Sequence, residues 1–170
     1  LVGQLRATHN LPRLAKYTTE LFATLEADTG QSTGFRACGS VAVASTHERL
    51  EELRRGASMA RVFGLPVELM TPADIARMAP LARTDDLIGG VHLPGDGVTN
   101  PVDTTRAFAK GARDRGVQIA EHTAVSRILV EDGRAVGVEY EHDGEPRELR
   151  AAAVVNAAGM WGRELGATAG

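Results

Sequence analysis

The chain has a single cysteine, Cys38, among its 170 residues. One cysteine cannot form an intrachain disulfide, a metal site built from thiolates or a Cys-x-x-Cys redox pair. A protein without disulfides fits a reducing compartment. We therefore expect it in the cytoplasm, or in the mitochondrial matrix if its source is eukaryotic.

Long apolar runs and blocks of basic residues are also absent. No segment approaches the roughly 18 apolar residues that a membrane span needs, and Leu1–Gln4 lacks the basic start of a signal peptide. The 19 Lys and Arg against 22 Asp and Glu give a net charge of −3, without the basic patch typical of nucleic-acid binding. We expect neither a membrane nor a nucleic acid as partner.

Several catalytic motifs are missing as well. No serine lies in Gly-x-Ser-x-Gly, and no Gly-Lys-Ser/Thr indicates a P-loop. Asp85 and Asp86 are adjacent, so their carboxylates point apart in an extended segment. No two of the five histidines have metal-ligand spacing, these being His9, His47, His92, His122 and His142. We expect no metal site and no hydrolase.

The segment Gly95-Asp96-Gly97-Val98-Thr99-Asn100 begins like a dinucleotide-binding fingerprint. Asn100 stands where the third Gly or Ala belongs, so the pattern is not a credible Gly-x-Gly-x-x-Gly. We expect Gly95 and Gly97 to form a tight turn that requires positive φ.

Periodicity and punctuation predict a mixed succession of helices and strands. Helices are predicted at residues 10–30, 46–64, 71–80, 100–115 and 161–165. Strands are predicted at residues 40–45, 67–70, 87–93, 117–120, 124–130, 135–140, 147–150 and 152–158. Asp132-Gly133 and Asp143-Gly144 are typical of tight hairpin turns, so three of these strands should form an antiparallel meander.

The last predicted strand ends in Asn156-Ala157-Ala158-Gly159-Met160-Trp161. Small residues at the end of a strand allow a flat cofactor or a diphosphate to approach main-chain N–H groups. The same residues also allow a helix to pack near a sheet with Trp161 in the core. From the residues alone both interpretations stay open.

Six segments, in this order, resemble the FAD-dependent D-amino-acid-oxidase-like family, and within it the sarcosine and dimethylglycine dehydrogenases. The segments are a helix ending in Glu-x-x-Thr-Gly at 26–30, Gly39-Ser40-Val41, Gly-Gly-Val-His-Leu-Pro-Gly-Asp-Gly-Val-Thr-Asn-Pro at 89–101, Gly-Ala-Arg-x-x-Gly-Val at 111–117, His-Thr-Ala-Val at 122–125 and Val-Asn-Ala-Ala-Gly-Met-Trp at 155–161.

The resemblance implies an α/β fold with α+β character. Part of a FAD-binding Rossmann-like domain with a β-meander would be joined to part of an inserted antiparallel substrate domain. Residues 1–38 and 97–170 would belong to the FAD domain, and residues 39–96 to the substrate domain. We expect the chain to be a central fragment, with the dinucleotide fingerprint upstream and the residues that face the substrate downstream.

The implied activity is oxidative demethylation of sarcosine or dimethylglycine, with FAD as cofactor, a small amine as substrate, and tetrahydrofolate and an electron acceptor as further partners. The family pattern assigns cofactor contacts to Val125, Trp161, Gly159 and Ala158, and no catalytic residue to this chain. Two alternatives stay open: a glycine or D-amino-acid oxidase, and a non-catalytic α+β binding or interaction module.

Overall fold

The computed structural model describes residues 1–5 and 10–170, which form two compact units, Leu1–Gln118 and Ile119–Gly170. The first unit contains α1 (Asn10–Thr29), β1 (Ser40–Ala44), α2 (His47–Val62), β2 (Glu68–Met70), α3 (Pro72–Met78), β3 (Gly89–Leu93) and α4 (Pro101–Arg113). The second contains β4 (Val125–Glu131), β5 (Arg134–His142), β6 (Glu145–Arg150), a 3₁₀ turn (Gly159–Trp161) and α5 (Gly162–Ala167).

The sheet of the first unit is antiparallel, with strand order β1-β3-β2. Val41 lies opposite His92 on one side of β3, and Leu69 lies opposite Val91 on the other. Together with the helices, this sheet confirms the expected α/β class with α+β character. The finer division of the chain at residues 38 and 96 stays a prediction.

The core of the first unit lies between β3 and α2. Val91 and Leu93 of β3 are buried against Ala57 of α2. An alanine at the contact allows close approach of helix and sheet, since it fills little volume and loses no side-chain entropy. On α3, Ile75 is buried, and a Cβ added at Gly90 would lie 3.1 Å from its Cδ1.

Side-chain caps begin the helices where the sequence predicts them. The hydroxyl oxygen of Thr46 accepts a hydrogen bond from the Arg49 N–H, and Thr71 with Asp74 forms a reciprocal capping box. The Asn100 side chain accepts from the first turn of α4. Glycines with positive φ follow three of the helices, namely Gly30, Gly64 and Gly116.

Helices α1 and α4 pack against each other through aromatic rings. Phe22 of α1 makes edge-to-face contacts with Phe108 of α4, at 5.9 Å between centroids, and with Phe35, at 6.1 Å. Leu11 and Leu14, on the N-terminal half of α1, remain exposed. The aromatic contacts therefore hold the C-terminal half of α1 on α4.

The second unit is built on the predicted meander, with strand order β4-β5-β6. Its two-residue turns have positive φ at both positions, +49° and +74° at Asp132-Gly133 and +55° and +80° at Asp143-Gly144. This is the type I′ geometry that matches the twist of the flanking strands. The hairpin prediction is confirmed at both turns.

Two predicted strands, residues 117–120 and 152–158, are wrong: neither forms a strand. A strand exists only where a neighbour takes up its backbone hydrogen bonds, and no described strand runs beside either segment. Their apolar side chains stay accessible, with Val117 52% and Val155 89% exposed. The amino-acid pattern is that of buried strands, but within the described residues both segments remain unpaired coil.

Candidate functional site

A depression in the second unit brings two of the four predicted cofactor-binding residues together. Val125, at the start of β4, and Trp161, at the end of the 3₁₀ turn, both line it. Its volume is about 340 Å³, and its remaining lining residues are Ser126, Glu164, Leu165 and Thr168. Small-molecule sites have volumes of roughly 300–1,000 Å³, so the depression has room for one flat aromatic group.

Helix α5 is fixed beside β4 by Thr168. The Ile128 N–H of β4 donates to the Thr168 hydroxyl oxygen at 2.9 Å, and the hydroxyl donates to the Leu165 carbonyl at 2.7 Å. One side chain thus joins the outer edge of the meander to the end of α5. This connection places Trp161 and Glu164 on the same depression as Val125.

An irregularity in the β4–β5 pairing lies directly after Val125. Val125 is opposite Tyr140 and Arg127 is opposite Glu139, with a register shift between them at Ser126. Such a bulge locally disrupts the ladder and re-aims backbone and side chains. The start of β4 therefore departs from regular pairing directly after the residue that the family pattern assigns to the cofactor.

Glu139 accepts two side-chain hydrogen bonds beside this bulge. The Ser126 hydroxyl donates to its Oε1 at 2.8 Å, and Arg127 Nη2 donates to its Oε2 at 3.0 Å. These hydrogen bonds, that from Ser126 first, hold the pKa of Glu139 below its ordinary value. The carboxylate is ionised at neutral pH and fixes the Ser126 side chain.

Asn156 organises the turn that leads to Trp161. Its Oδ1 accepts from the Ala158 N–H at 3.1 Å, and its Nδ2 donates to the Gly162 carbonyl at 2.7 Å. Gly159 has φ +58° and nothing within 4 Å of an added Cβ. Ala158 and Gly159 thus lie on an open, small-residue turn, although the lining of the depression includes neither.

Trp161 and Val125 are accessible, at 64% and 42% exposure. The interpretation of Trp161 as a core side chain therefore does not hold within the described residues. Glu164, three residues further along, is exposed and makes no hydrogen bond or ion pair with a described residue. Glu164 lies three residues after Trp161, about one helical turn away, and this spacing is the sequence signal that could have identified Glu164 as a lining residue.

The expectation of positive φ at Gly95 and Gly97 is wrong, since neither residue adopts it. Close approach is what requires glycine at these positions. A Cβ at Gly97 would lie 2.4 Å from the Arg36 carbonyl oxygen, and one at Gly95 would lie 2.5 Å from Gln4 Oε1. The segment is a crowded junction of the fold, and at Gly97 a Cβ would collide with backbone.

The described part of the chain holds no group of three or more His, Cys, Asp and Glu side chains that could bind a metal ion. His9 lies outside the described residues. His92 pairs across the sheet with Glu68, its Nδ1 lying 3.1 Å from the Glu68 Oε2. In residues 1–5 and 10–170, no helix is long and apolar enough to cross a membrane.

Comparison with known proteins connects this geometry to a family. The family described as FAD dependent oxidoreductase matches residues 2–170. The chain is 36% identical over 154 residues to the mitochondrial pyruvate dehydrogenase phosphatase regulatory subunit of Mus musculus, covering 91% of the chain and 17% of that protein. It is 32% identical over 176 residues to the mitochondrial sarcosine dehydrogenase of Homo sapiens, covering 100% of the chain and 19% of that protein.

The fold also matches solved structures. The L-proline dehydrogenase of P. horikoshii superposes with a TM-score of 0.87 and 26% identity, over 99% of this chain and 44% of that one. The chain spans about a fifth of the length of the curated relatives that it matches. What these comparisons describe is therefore one segment of a larger architecture.

Proposed function

This chain belongs to the family of FAD dependent oxidoreductases, and from that premise we propose that it serves oxidative demethylation of an N-methylated glycine, sarcosine or dimethylglycine. The observation that carries the proposal is the depression shared by Val125 and Trp161, at the positions where the family pattern expects the cofactor. The sarcosine dehydrogenase relative supports the substrate class.

The residues of the depression fit the adenine end of FAD. Trp161 offers an accessible ring against which a flat base can stack, and such stacking contributes roughly 1–3 kcal/mol per base. The irregular start of β4 at Val125 offers backbone groups at the edge of the same space. Adenine held between them would leave the rest of the cofactor free to extend toward the substrate.

Gly159 and Ala158 would contact the part of the cofactor next to its adenine. Gly159 leaves open space where any other residue has a Cβ, and Asn156 fixes the backbone around Ala158 from both sides. A turn fixed in advance does not lose conformational entropy when a ligand binds. These residues would thus bind and orient, and none of them moves a proton.

When bound, FAD supplies the acceptor for the hydride that leaves the carbon next to the amine nitrogen, and the iminium ion formed from the substrate then reacts with water or tetrahydrofolate. Residues 39–96 would contribute to the substrate domain. An electron acceptor completes the turnover, and the compartment would be the cytoplasm or the mitochondrial matrix.

The visible absorption spectrum of the full protein, before and after acid precipitation, tests the proposal. We expect a flavin spectrum that bleaches when sarcosine or dimethylglycine is added without oxygen. Flavin that stays with the precipitate would indicate covalent attachment. A colourless protein that cannot be reconstituted with FAD would contradict the proposal.

Glycine and D-alanine, added in the same way, separate this proposal from the first alternative. A glycine or D-amino-acid oxidase would bleach with a primary amine, whereas the proposed enzyme requires the N-methyl group. The comparison needs a single protein sample and four amines. Bleaching by sarcosine or dimethylglycine but not by glycine or D-alanine would support the proposed enzyme over this alternative.

A second candidate function is a binding or regulatory role without catalysis. The 36% identity to a phosphatase regulatory subunit favours it, because that relative carries the same segment under a name that describes regulation. A protein of this kind would bind flavin and show no bleaching with any of the four amines. The same spectra therefore distinguish the two functions.

A further inference from the structure

We propose that Asp96 is a positioning residue that sets the geometry between the nucleotide-binding and substrate-binding parts of the enzyme. The inference rests on the proposed function. It concerns a buried carboxylate in the segment Pro94-Gly95-Asp96-Gly97, which has no part in the cofactor depression.

The helices and strands of the first unit pack as two groups, which the loops between them join. Helices α1 and α4 pack together, while α2 and α3 pack on the sheet β1-β3-β2. The chain passes from the helix pair into the sheet at Gly39-Ser40 and returns after Leu93. Asp96 lies where these two crossings between the helix pair and the sheet come together.

The Asp96 carboxylate bonds to both sides of this junction. Its Oδ1 accepts from the Gln4 N–H at 2.8 Å, and its Oδ2 accepts from the Ser40 hydroxyl at 2.5 Å. Its own carbonyl oxygen accepts from the Gly39 N–H at 2.8 Å. One residue thus fixes the N-terminal segment and the start of β1 at the same point.

The connection continues into α1 through Gln4. The Gln4 Nε2 donates to the Thr19 hydroxyl oxygen at 2.7 Å. A continuous path of hydrogen bonds therefore runs from α1 through Gln4 and Asp96 to Ser40 of β1. Asp96 is its central member.

Most of this path is shielded from water, and only its end at Ser40 is half-buried. Asp96 is 4% exposed, Gln4 8% and Thr19 5%. Hydrogen bonds in a low-dielectric environment are stronger than in water, and an unpaired polar group there is costly. A second arrangement of the crossings would leave buried polar atoms without partners, so the path favours one relative placement of the two groups.

The neighbouring glycines pack the junction tightly. A Cβ at Gly95 would collide with the Gln4 side chain, and one at Gly97 with the Arg36 carbonyl. Backbone from three separate segments therefore closes around the carboxylate. These close approaches leave little room for the segments at the junction to shift.

Under the proposed function, the helix pair belongs to the FAD domain and the sheet to the substrate domain. Hydride transfer requires the reacting atoms at about 3–3.5 Å, and a displacement of about 1 Å costs roughly 100-fold in rate. Asp96 touches neither substrate nor cofactor in this account. It acts through the placement of the helix pair relative to the sheet.

The test compares Asp96→Ala, Asp96→Asn and the control Asp86→Ala in the full protein. Asp86 is an exposed carboxylate that pairs with Arg83 on the loop before β3. Asparagine can still accept from the Gln4 N–H and can donate to the Ser40 oxygen, whereas alanine can do neither. Two quantities are measured: hydrogen exchange of the peptides containing Gln4 and Gly39, and the rate of flavin reduction by the amine.

We expect Asp96→Ala to keep its flavin, to exchange faster at both peptides, and to be reduced about 10- to 100-fold more slowly. Asp96→Asn should remain close to the unmodified protein in both measurements. Asp86→Ala should give the same values as the unmodified protein. Faster exchange with an unchanged reduction rate would overturn the proposal, as would an Asp96→Asn variant as impaired as Asp96→Ala.

If Asp96→Ala does not fold, Ser40→Ala decides the question. This variant removes only the bond to Oδ2, and we expect slower reduction with flavin retained; an unchanged rate would overturn the proposal. A failure of the proposed function is recognised separately, because the unmodified protein would then not bleach with any amine. Hydrogen exchange at Gln4 would still report whether Asp96 holds the junction.

Discussion

At the scale of single residues, Trp161 carries the most weight in the proposed cofactor site. Its exposed ring forms a wall of the depression. We propose that the adenine of FAD stacks on this ring. Its loss should be measurable as weaker binding without loss of the fold.

Replacement of Trp161 by alanine should raise the Kd for FAD about tenfold or more, because one stacking contact is removed. Titration of FAD into apoprotein, followed by flavin fluorescence, measures the change. Met160→Ala is the matched control, since Met160 is adjacent and exposed but does not line the depression. Equal Kd values for the two variants would remove Trp161 from the site.

Replacement of Gly97 by alanine should lower the stability of the protein by about 1–3 kcal/mol, the usual cost of overpacking. The added Cβ would lie 2.4 Å from the Arg36 carbonyl oxygen and 2.9 Å from the Phe35 ring. Thermal unfolding measures the effect.

Gly56→Ala serves as the control for Gly97→Ala. Its Cβ would meet Leu5 at an ordinary 3.4 Å, and alanine favours a helix interior over glycine by roughly 0.5–1 kcal/mol. We expect Gly56→Ala to unfold at the same or a higher temperature. A Gly97→Ala variant as stable as Gly56→Ala would contradict the close approach at the junction.

At the scale of elements, the first hairpin depends on the ionised form of Glu139. Its folded pKa is held below the ordinary value near 4.5 by hydrogen bonds from Ser126 and Arg127. The contribution of the carboxylate to stability is therefore complete above the ordinary pKa. It is lost as the pH falls through the lowered pKa of the folded protein.

Glu139→Gln should accordingly lower the unfolding temperature at pH 7, and its difference from the unmodified protein should shrink as the pH falls below about 4.5. Glu141→Gln, on the same strand and with no hydrogen bond or ion pair to its side chain in the described residues, should show little effect at either pH. A difference that is independent of pH would mean that the glutamine disturbs packing instead.

The sequence predicts elements well where their signals are local. The caps at Thr46, Thr71 and Asn100 and the two Asp-Gly turns lie where propensity and hydrogen-bonding chemistry demand them. The strand predictions at residues 117–120 and 152–158 are wrong because a strand forms only beside a neighbour that takes up its backbone hydrogen bonds. No local signal reports whether that neighbour is present.

The candidate site could likewise be predicted only in part. Val125 and Trp161 could be predicted from the family resemblance. The depression that they share depends on the Thr168 hydrogen bonds, which join α5 to β4. The hydrogen bond between Ile128 and Thr168 could not be predicted, because it joins residues 40 positions apart. Asp96 was missed for a similar reason: a Gly-Asp-Gly turn does not reveal that its carboxylate is buried against Gln4 and Ser40.

At the scale of the whole molecule, the unpaired apolar segments predict how the chain behaves alone. Val117, Ile119 and Val155 are exposed, and extended apolar segments with free backbone groups associate with one another. Light scattering on residues 1–170 expressed alone should therefore show assemblies. A monodisperse monomer would contradict the prediction that these exposed apolar segments cause association.

The central claim is that a protein carrying this chain removes a hydride from an N-methyl group. Anaerobic flavin reduction by sarcosine, compared with sarcosine deuterated in its methyl group, tests it most directly, with analysis of the carbon products. We predict a slower reduction with the deuterated methyl group, and formaldehyde with glycine as products. Equal rates for the two substrates, with glyoxylate as product, would show that the Cα–H bond is oxidised instead and would contradict the claim.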